Sequence, residues 1–164
     1  MNDATAYLAS PLGLLALTGT EAGLSAVSFF GTEGCAPTEP AAIAACLRPA
    51  HAQLAAYFGR ELRAFDLAYA PTFGTDFQRQ VWQALGSIAF GRTASYLDMA
   101  KLLNNPKSVR AVGAANGQNP LAIVWPCHRI VGADGSLTGY AGGLHRKKWL
   151  LDFEQPTRQG GLFG

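Results

Sequence analysis

Apolar residues near the amino terminus fall into three short segments separated by turn residues, a pattern typical of an antiparallel sheet. The three segments are residues 5–10, 14–20 and 24–30. The turns between them are Pro11-Leu12-Gly13 and Glu21-Ala22-Gly23. We therefore predict a hairpin or meander of short strands at the start of the chain.

The rest of the first half predicts a loop, a helix and a return to the sheet. Residues 31–40 are rich in Gly, Thr, Glu and Pro, which is typical of a loop. Residues 41–58 are rich in alanine and leucine and predict a helix, which Pro49 is expected to break early. The segment LRAFDLAY, residues 62–69, is expected to rejoin the sheet as a strand.

Residues 71–74, Pro-Thr-Phe-Gly, are the best candidate for a domain boundary, because helical spacing replaces the strand pattern after them. Thr75 or Asp76 can cap a helix that runs over residues 77–88. Four apolar residues of this helix share one face and are predicted to lie in a core: Phe77, Val81, Trp82 and Leu85.

Two shorter helices follow, and the tight turn between them makes a helix-turn-helix candidate. Ser95 is expected to cap the first, residues 96–104, and Ser108 opens the second, residues 109–117. The whole pattern predicts an α/β (α+β) chain with two domains. These are a small antiparallel sheet with a helix, residues 1–72, and a helix-turn-helix domain, residues 73–164.

The second of these helices, VRAVGAANG, consists of small side chains and one arginine, Arg110. Glycine is a poor helix former and costs about 1 kcal/mol relative to alanine, so its presence needs a reason. Small side chains allow another backbone to approach closely. Two interpretations stay open: close packing inside the protein, or a helix pressed into a DNA groove with Arg110 protruding.

With 164 residues, the chain is long enough for one domain, or one domain and a small partner, with its own core. Apolar residues make up 49% and charged residues 15%, which excludes a disordered chain. The charge is uneven. Residues 1–74 carry three basic and six acidic side chains, whereas residues 75–164 carry ten basic and five acidic ones. A polyanion would be attracted to the second half, although an ordinary solvated surface gives the same count.

The cysteines are Cys35, Cys46 and Cys127, with no CxxC pair, which argues against a disulfide scaffold or a zinc site. We therefore expect no metal and no cofactor. The start of the chain lacks the basic residues of a signal peptide, and no apolar run reaches the roughly 18 residues that a membrane span needs. The expected setting is a reducing cytoplasm, with no membrane partner.

The candidate chemistry lies in the tetrapeptide PCHR, residues 126–129, which ends an apolar run. The run predicts a buried strand that delivers Cys127 to an open end, where His128 and Arg129 would favour the nucleophilic thiolate. Adjacent strand residues point to opposite faces, so contact between Cys127 and His128 requires a turn or a bridging water. Glu154, at the end of a predicted helix, can orient His128. A buried structural cysteine is the alternative.

The segment after the cysteine combines a turn signal with a glycine-rich stretch. Asp134-Gly135 lies between the runs HRIVG and LTGY and predicts a hairpin. Residues 139–143, GYAGG, would let a ligand lie against the main chain, and Tyr140 suits stacking on a planar base. A flexible connection before the last helix, residues 144–154, is the alternative.

These residues carry a family resemblance. The run RAVGAANGQNPLAIVWPCHRIVGADGSLTGYAGG, with GTDFQRQVW before it and KKWLLDFE after it, closely resembles the O6-alkylguanine-DNA alkyltransferases of the bacterial Ogt and Ada carboxy-terminal type. The similarity spans about residues 74–154, and PCHR is highly specific in this context. The resemblance implies a winged helix-turn-helix-like domain that binds the minor groove of double-stranded DNA and flips O6-alkylguanine into a pocket. It also implies irreversible transfer of one alkyl group per protein.

On this resemblance, Cys127 is the alkyl acceptor. His128 and Glu154 match a relay in which the histidine acts on the sulfur through a water. Arg110 matches the arginine that fills the base stack where the guanine left, and Ala111 beside it belongs to the surface that contacts DNA.

The remaining matches surround the flipped base. Tyr96 matches a tyrosine that aids flipping and contacts the base, and Asn119 matches an asparagine that ties the DNA-reading helix to the active-site turn. The main-chain carbonyls of Cys127 and Ile130 would accept hydrogen bonds from the guanine amino group. Four residues match the pocket wall and its surroundings: Tyr140, Ala141, Gly142 and Lys147.

The chain departs from the family pattern in three places. Ala89-Phe90-Gly91 stands where the family has Pro-Tyr-Gly, Trp125 replaces a smaller aliphatic residue, and Ala141 offers no hydroxyl to the guanine oxygen. Three rival functions stay open: a non-catalytic alkylguanine-binding protein that recruits other repair factors, a cysteine hydrolase, and a winged-helix regulator with a structural cysteine. We expect a monomer in solution.

Overall fold

The computed structural model describes residues 3–31 and 35–155 of the chain. It divides into two compact units. The first comprises Met1–Phe73 with Pro120–Val124, and the second comprises Gly74–Asn119 with Trp125–Gly164. The short segment Pro120–Val124 therefore belongs to the first unit, although the residues on both sides of it belong to the second. The two domains expected from the sequence, residues 1–72 and 73–164, do not include this exchange.

The first unit is built on the predicted meander of three antiparallel strands, which the structure confirms. The strands are β1 Ala4–Ser10, β2 Gly13–Thr20 and β3 Gly23–Gly31, in the order β1-β2-β3. Leu17 of β2 lies opposite both Ala6 and Val27. All three side chains are buried, so this row of the sheet forms part of the core of the unit.

The predicted helix over residues 41–58 is shorter than expected. Two 3₁₀ turns come first, at Pro40–Ala42 and Ala45–Leu47, and the α-helix α1 covers Arg48–Phe58. Pro49 lies in the first turn of α1, where its missing N–H would have no helical partner in any case. The predicted helix is therefore interrupted next to Pro49, and this proline lies in the first turn of α1 instead of inside a longer helix.

The free edge of β3 is covered by two isolated parallel bridges rather than by a full strand. At Leu24, the N–H donates to the Ala68 carbonyl (2.9 Å) and the carbonyl accepts from Ala70 (2.8 Å). The strand predicted over residues 62–69 is thus reduced to one bridge at Tyr69. Leu121 forms a similar bridge with Val27, and this contact holds Pro120–Val124 in the first unit.

The second unit begins with the helix α2, Asp76–Leu85, which ends earlier than predicted. The Gln78 N–H donates to Thr75 Oγ1 (3.1 Å) and the Thr75 N–H donates to Gln78 Oε1 (2.9 Å), so Thr75 caps the helix as expected. Val81, Trp82 and Leu85 are buried, whereas Phe77 is only partly so. The apolar face therefore lies in the core, except at its first residue.

The two short helices are α3, Tyr96–Leu102, and α4, Val109–Gly117. Ser95 caps α3 through a reciprocal pair of hydrogen bonds with Asp98. Ser108 lies at the start of α4, but its hydroxyl donates to the Asn105 carbonyl (2.6 Å) instead of capping the helix. The pair contact each other and are joined by residues 103–108.

Two further elements complete the second unit. A short parallel pair joins β4, Ala94–Ser95, to β5, Ile130–Val131, and the helix α5 covers Leu144–Phe153. Helices α1 to α5, all within the described residues, are too short or too polar to span a bilayer.

Trp82 organises the packing of the second unit. Its indole N–H donates to the Ala115 carbonyl in α4 (2.7 Å), and its ring stacks on Trp125 with centroids 5.9 Å apart. The bulky Trp125, a departure from the family pattern, is therefore accommodated by an aromatic pair in this unit. Gly74 has a φ of +120°, and a Cβ there would come within 2.5 Å of the Trp82 ring.

We expect Gly74→Ala to lower the free energy of unfolding by at least about 2 kcal/mol, because it adds a left-handed strain and a clash with a packed tryptophan. Gly117→Ala is the matched control, since open space surrounds Gly117 and alanine favours a helix by up to about 1 kcal/mol. Urea unfolding followed by tryptophan fluorescence measures both. Equal stability of the two variants would contradict this account of Gly74.

Candidate active site

Cys127 lies in a turn and not at the end of a strand, so the predicted buried strand is wrong. After the bridge at Leu121 the chain reverses at Ile123, whose φ is 71°, and Cys127–Arg129 then form a 3₁₀ turn. The Arg129 N–H donates to the Pro126 carbonyl (3.0 Å). Successive residues of such a turn differ by about 120° around its axis. Cys127 and His128 are therefore not forced onto opposite faces.

Two asparagines at the end of α4 hold this turn. Asn119 Nδ2 donates to the Trp125 carbonyl (2.7 Å), which closes the excursion of residues 120–124. Asn116 Nδ2 lies 3.4 Å from the Cys127 carbonyl oxygen, at the outer limit of a hydrogen bond. The resemblance identifies Asn119, whereas Asn116 is a further contact that only the structure reveals.

A buried carboxylate lies behind the turn. Glu154 Oε2 is 2.8 Å from His128 Nε2, as the sequence suggests, and both side chains are almost completely buried. Glu154 also accepts from Arg129, at 2.7 Å from Nε and 2.9 Å from a terminal nitrogen. Burial alone would raise the pKa of Glu154, but its hydrogen bonds with His128 and Arg129 and the charge of Arg129 outweigh this effect and lower the pKa to about 2.

His128 is neutral near pH 7 because of its burial. Burial lowers the pKa of its imidazole, and the hydrogen bond with Glu154 opposes this shift without reversing it. With the Nε2 proton directed at the carboxylate, Nδ1 carries the lone pair. This atom has no hydrogen-bond partner among residues 3–31 and 35–155.

The prediction that Arg129 favours the thiolate is wrong. Its guanidinium is occupied by Glu154 and by the Ile88 carbonyl, which accepts from it at 2.6 Å. The face of Phe90 lies 5.8 Å from the guanidinium carbon, so this departure from the family pattern packs against the same group. Arg129 therefore orients Glu154 rather than the sulfur.

The Cys127 thiol is not activated in the resting structure. Burial raises the pKa of the thiol, whereas a hydrogen bond from the Asn119 side chain and the charge of Lys147 act in the opposite direction without reversing it. Neither His128 nor Arg129 contributes a charge that favours the thiolate. A thiol with a raised pKa needs a base to remove its proton.

Lys147 is fully buried on α5 and donates from Nζ to Thr138, at 3.2 Å to the carbonyl and 3.3 Å to Oγ1. The same Thr138 hydroxyl is 2.5 Å from the Tyr96 hydroxyl at the start of α3. The structure thus joins two sequence-predicted residues, Lys147 and Tyr96, through a threonine that sequence reasoning did not identify.

The predicted hairpin around Asp134-Gly135 forms only its turn. The Gly132 N–H donates to the Ser136 carbonyl (2.9 Å), but residues 137–140 are not a strand. Ile130, on the other side of the turn, pairs with Ala94 of β4 and is buried. The predicted hairpin does not form because β5 pairs with β4. Residues 137–140 are therefore not part of a strand and run through the loop before α5.

The glycine-rich stretch forms a loop that is held by hydrogen bonds within the loop and to α5. The Gly143 N–H donates to the Tyr140 carbonyl (2.9 Å), and Arg146 of α5 donates to the Gly142 carbonyl (3.0 Å). Ala141 between them is exposed. Burial, followed by the charges of Cys127 and Glu154, holds the pKa of Tyr140 well above its usual value, so its phenol keeps its proton.

The two residues predicted to contact DNA lie on the first turn of α4. Arg110 and Ala111 are both exposed, and Val112, which follows them, is buried. The small side chains of α4 serve packing as well, since Ala115 is buried and its carbonyl accepts from Trp82. Both interpretations of this helix are thus compatible with the structure. In the described part of the chain, no group of three or more His, Cys, Asp or Glu side chains is placed to hold a metal ion.

Comparison with known proteins defines the class. The family described as 6-O-methylguanine DNA methyltransferase, DNA binding domain, matches residues 76–156. A methylated-DNA–protein-cysteine methyltransferase of Methanosarcina acetivorans is 47% identical over 151 residues, which cover 91% of this chain and 96% of the relative. A Mycolicibacterium paratuberculosis protein of the same name is 45% identical, with coverage of 89% and 88%.

Solved structures agree with the sequence comparison. The crystal structure of Mycobacterium tuberculosis O6-methylguanine methyltransferase matches with a TM-score of 0.81, 41% identity and coverage of 94% of both chains. The structure of the M. tuberculosis protein in complex with DNA matches with a TM-score of 0.79, 41% identity and coverage of 92% and 91%.

The fold and the site thus define an alkyl-transferring class of protein. The chain belongs to the methylated-DNA–protein-cysteine methyltransferases. The predicted function, DNA repair by transfer of an alkyl group to a cysteine of the protein itself, is confirmed.

The low pKa of Glu154 predicts a loss of stability in acid. The folded state resists the proton that an unfolded carboxyl accepts below pH 4.5, so the free energy of unfolding falls between about pH 4.5 and 2, by on the order of 3 kcal/mol from this group. The lowered pKa of His128 acts in the same direction from pH 6.5 downward, because the unfolded imidazole binds a proton more readily.

Urea unfolding of the wild type and Glu154→Gln between about pH 7 and 3 measures this contribution. The variant should be less stable at pH 7 and should lose less stability on acidification. Asp152→Asn is the matched control, because its carboxylate pairs with Lys148 on the exposed side of α5. Parallel pH profiles for the wild type and Glu154→Gln would show that this carboxylate is not the group concerned.

Proposed function

We propose that Cys127 is the alkyl acceptor and that the substrate is O6-alkylguanine in double-stranded DNA. The observation that carries this proposal is the placement of Cys127 and His128 in one turn, with Glu154 behind the imidazole. Cys35 and Cys46 lie in the first unit, away from this arrangement in the sequence. A buried cysteine beside an oriented neutral histidine has the parts of an activated nucleophile.

The base in this mechanism is His128. Glu154 accepts a hydrogen bond from the His128 Nε2–H group. This bond fixes the tautomer in which the Nδ1 lone pair is available. Nδ1 takes the Cys127 thiol proton, through an intervening water as in the family relay. Arg129 keeps Glu154 ionised and in place during this transfer.

The transfer is a displacement at the alkyl carbon. Cys127 Sγ forms a bond to that carbon, and the bond from the carbon to guanine O6 breaks with its electron pair passing to the base. The base takes up one proton from water and leaves as ordinary guanine, while the thiol proton passes to His128 and is then released to water, so the protons balance. The product is a thioether, which has no route back to the thiol, so each protein acts once.

Hydrogen bonds stabilise the charge that develops on the departing base. Tyr96 and Lys147 supply donors on one side, and Tyr140 with the backbone of Ala141 and Gly142 supplies the pocket wall. The carbonyls of Cys127 and Ile130 accept from the guanine amino group. A carbonyl oxygen has two lone pairs, and Asn116, at 3.4 Å, uses at most one of those on Cys127. The other is available to the guanine amino group.

The base must leave the duplex before the buried sulfur can reach it, at a free energy of a few kcal/mol. The exposed first turn of α4 suits the minor groove, because Arg110 and Ala111 lie on a helix of small side chains. Arg110 fills the gap in the stack and offsets part of this free energy. The DNA complex of the M. tuberculosis relative supports DNA as the partner.

A non-catalytic alkylguanine-binding role is the second candidate. Such a protein needs no nucleophile, whereas this chain keeps Cys127 next to an oriented base. Alkyl transfer therefore accounts for more of the site. We also infer a cytoplasmic setting, since the three cysteines are free thiols, as expected in a reducing compartment. The monomeric state stays a prediction.

Incubation with a duplex that contains O6-methylguanine should add the mass of one CH₂ to the Cys127 peptide, detected by mass spectrometry after digestion. Excess substrate should give about one product per protein, because the thioether is inert. Cys127→Ser should abolish the transfer while still binding the duplex. A label on Cys35 or Cys46, or many turnovers per protein, would refute the assignment.

Arg110→Ala should slow repair of duplex DNA by about tenfold or more, because it removes the group that fills the gap in the stack. Transfer from free O6-benzylguanine, which needs no flipping, should change far less. Lys148→Ala is the control, since it removes one exposed positive charge that pairs with Asp152 on α5. Equal losses on the two substrates would remove the flipping role from Arg110.

A further inference from the structure

We propose that Thr138 is a positioning residue that couples the buried Lys147 ammonium to the Tyr96 hydroxyl. The inference rests on the proposed function, since it assigns Lys147 and Tyr96 to the base pocket. It adds a residue that the family resemblance does not carry over to this chain.

Thr138 reaches both groups from the loop between β5 and α5. Its carbonyl and its hydroxyl both accept from Lys147 Nζ, at 3.2 Å and 3.3 Å. The hydroxyl is also 2.5 Å from the Tyr96 hydroxyl, although the two residues are 42 positions apart. One side chain thus connects the start of α3 with the middle of α5.

One end of this hydrogen-bonded series has a defined direction. An ammonium only donates, so Thr138 Oγ1 accepts from Lys147. Either hydroxyl can donate in the bond between Thr138 and Tyr96, and we take Thr138 as the donor. Hydrogen bonds in such a series strengthen one another. In this arrangement the Tyr96 proton points away from Thr138 and is available to the substrate.

Thr138 also helps to keep Lys147 charged. Burial lowers the pKa of the Lys147 ammonium, and Cys127 counters this by favouring the charged form. The ammonium in turn favours the Cys127 thiolate. Acceptors stabilise a buried ammonium, so losing the Thr138 hydroxyl removes one of its two observed acceptors.

Other titratable groups act on this cluster and are unchanged in the test. Besides burial, the charge of Lys147 contributes to lowering the pKa of His128. Besides burial, the charges of Cys127 and Glu154 contribute to raising the pKa of Tyr140, and that of Arg146 on α5 opposes this shift. Thr138 itself does not titrate in water. A shift in the pH profile on replacing Thr138 therefore reports its effect on its two hydrogen-bonded partners, Lys147 and Tyr96, and on the sulfur.

The test compares Thr138→Val, which keeps the shape and loses the hydroxyl, with Thr138→Ser, which keeps the hydroxyl. Ser136→Ala removes an exposed hydroxyl from the same loop and is the matched control. The measurement is the single-turnover rate of transfer from free O6-benzylguanine between about pH 6 and 10. Urea unfolding of each variant shows whether it is folded.

We expect Thr138→Val to slow transfer about tenfold near pH 7, as for the loss of one hydrogen bond to a charged group. The deficit should shrink at high pH, because the sulfur then ionises without the full support of Lys147. Thr138→Ser should restore the rate to within about twofold, and Ser136→Ala should match the wild type.

Two results would overturn the proposal. One is a wild-type rate for folded Thr138→Val at every pH. The other is a deficit that is the same at every pH, or that Thr138→Ser fails to rescue, because either would mean that Thr138 only shapes the loop. Failure of the wild type to form a thioether at Cys127 is a different outcome, since it would refute the proposed function itself.

Discussion

The ionised carboxylate of Glu154 is the group on which the active site depends. Moving a carboxylate from water into a protein interior is unfavourable unless charges and hydrogen bonds compensate for the lost hydration. Arg129 supplies a permanent positive charge and two hydrogen bonds to the carboxylate, and His128 supplies a third hydrogen bond. The same interactions fix the end of α5, the conformation of the Cys127–Arg129 turn and the tautomer of the imidazole. Removing the carboxylate would leave a buried guanidinium without its counter-ion, so stability and chemistry share one cause.

The sulfur is kept in its neutral form until it is needed. Burial raises the pKa of the Cys127 thiol, and the nearby ammonium of Lys147 only moderates this effect. A buried thiol is a weak nucleophile, and under the proposed function this protects a cysteine that reacts once from adventitious alkylation and oxidation. In the mechanism we propose, the oriented lone pair of His128 acts as the base, so the nucleophile forms when an alkylated guanine is bound. Arg129, although close in sequence to Cys127, binds Glu154 and the Ile88 carbonyl.

The chain makes a short excursion immediately before the site. Residues 120–124 join the first unit through the bridge between Leu121 and Val27, and the hydrogen bond from Asn119 to the Trp125 carbonyl closes the excursion. The apolar sequence LAIVW predicts a buried strand, and most of its residues are indeed buried. It does not form a strand, because it makes a single bridge at Leu121 and then turns at Ile123, whose φ is positive. In the proposed mechanism, the resulting turn allows Cys127 and His128 to take part in one reaction. A continuous strand would have directed them to opposite faces.

Local sequence determined the three-stranded meander, the capped starts of α2 and α3, the buried face of α2 and the identity of Cys127, His128 and Glu154 as a group. These features depend on turn residues, capping side chains and helical spacing, which act over a few positions, or on a specific motif. Only the tertiary structure decided that residues 62–69 and 137–140 are not strands, that Arg129 binds Glu154, and that Thr138 joins Lys147 to Tyr96. Those outcomes depend on partners tens of residues away, such as β4 for Ile130. A polar group in the interior pairs with whatever donor or acceptor the fold brings to it, and sequence spacing does not encode that choice.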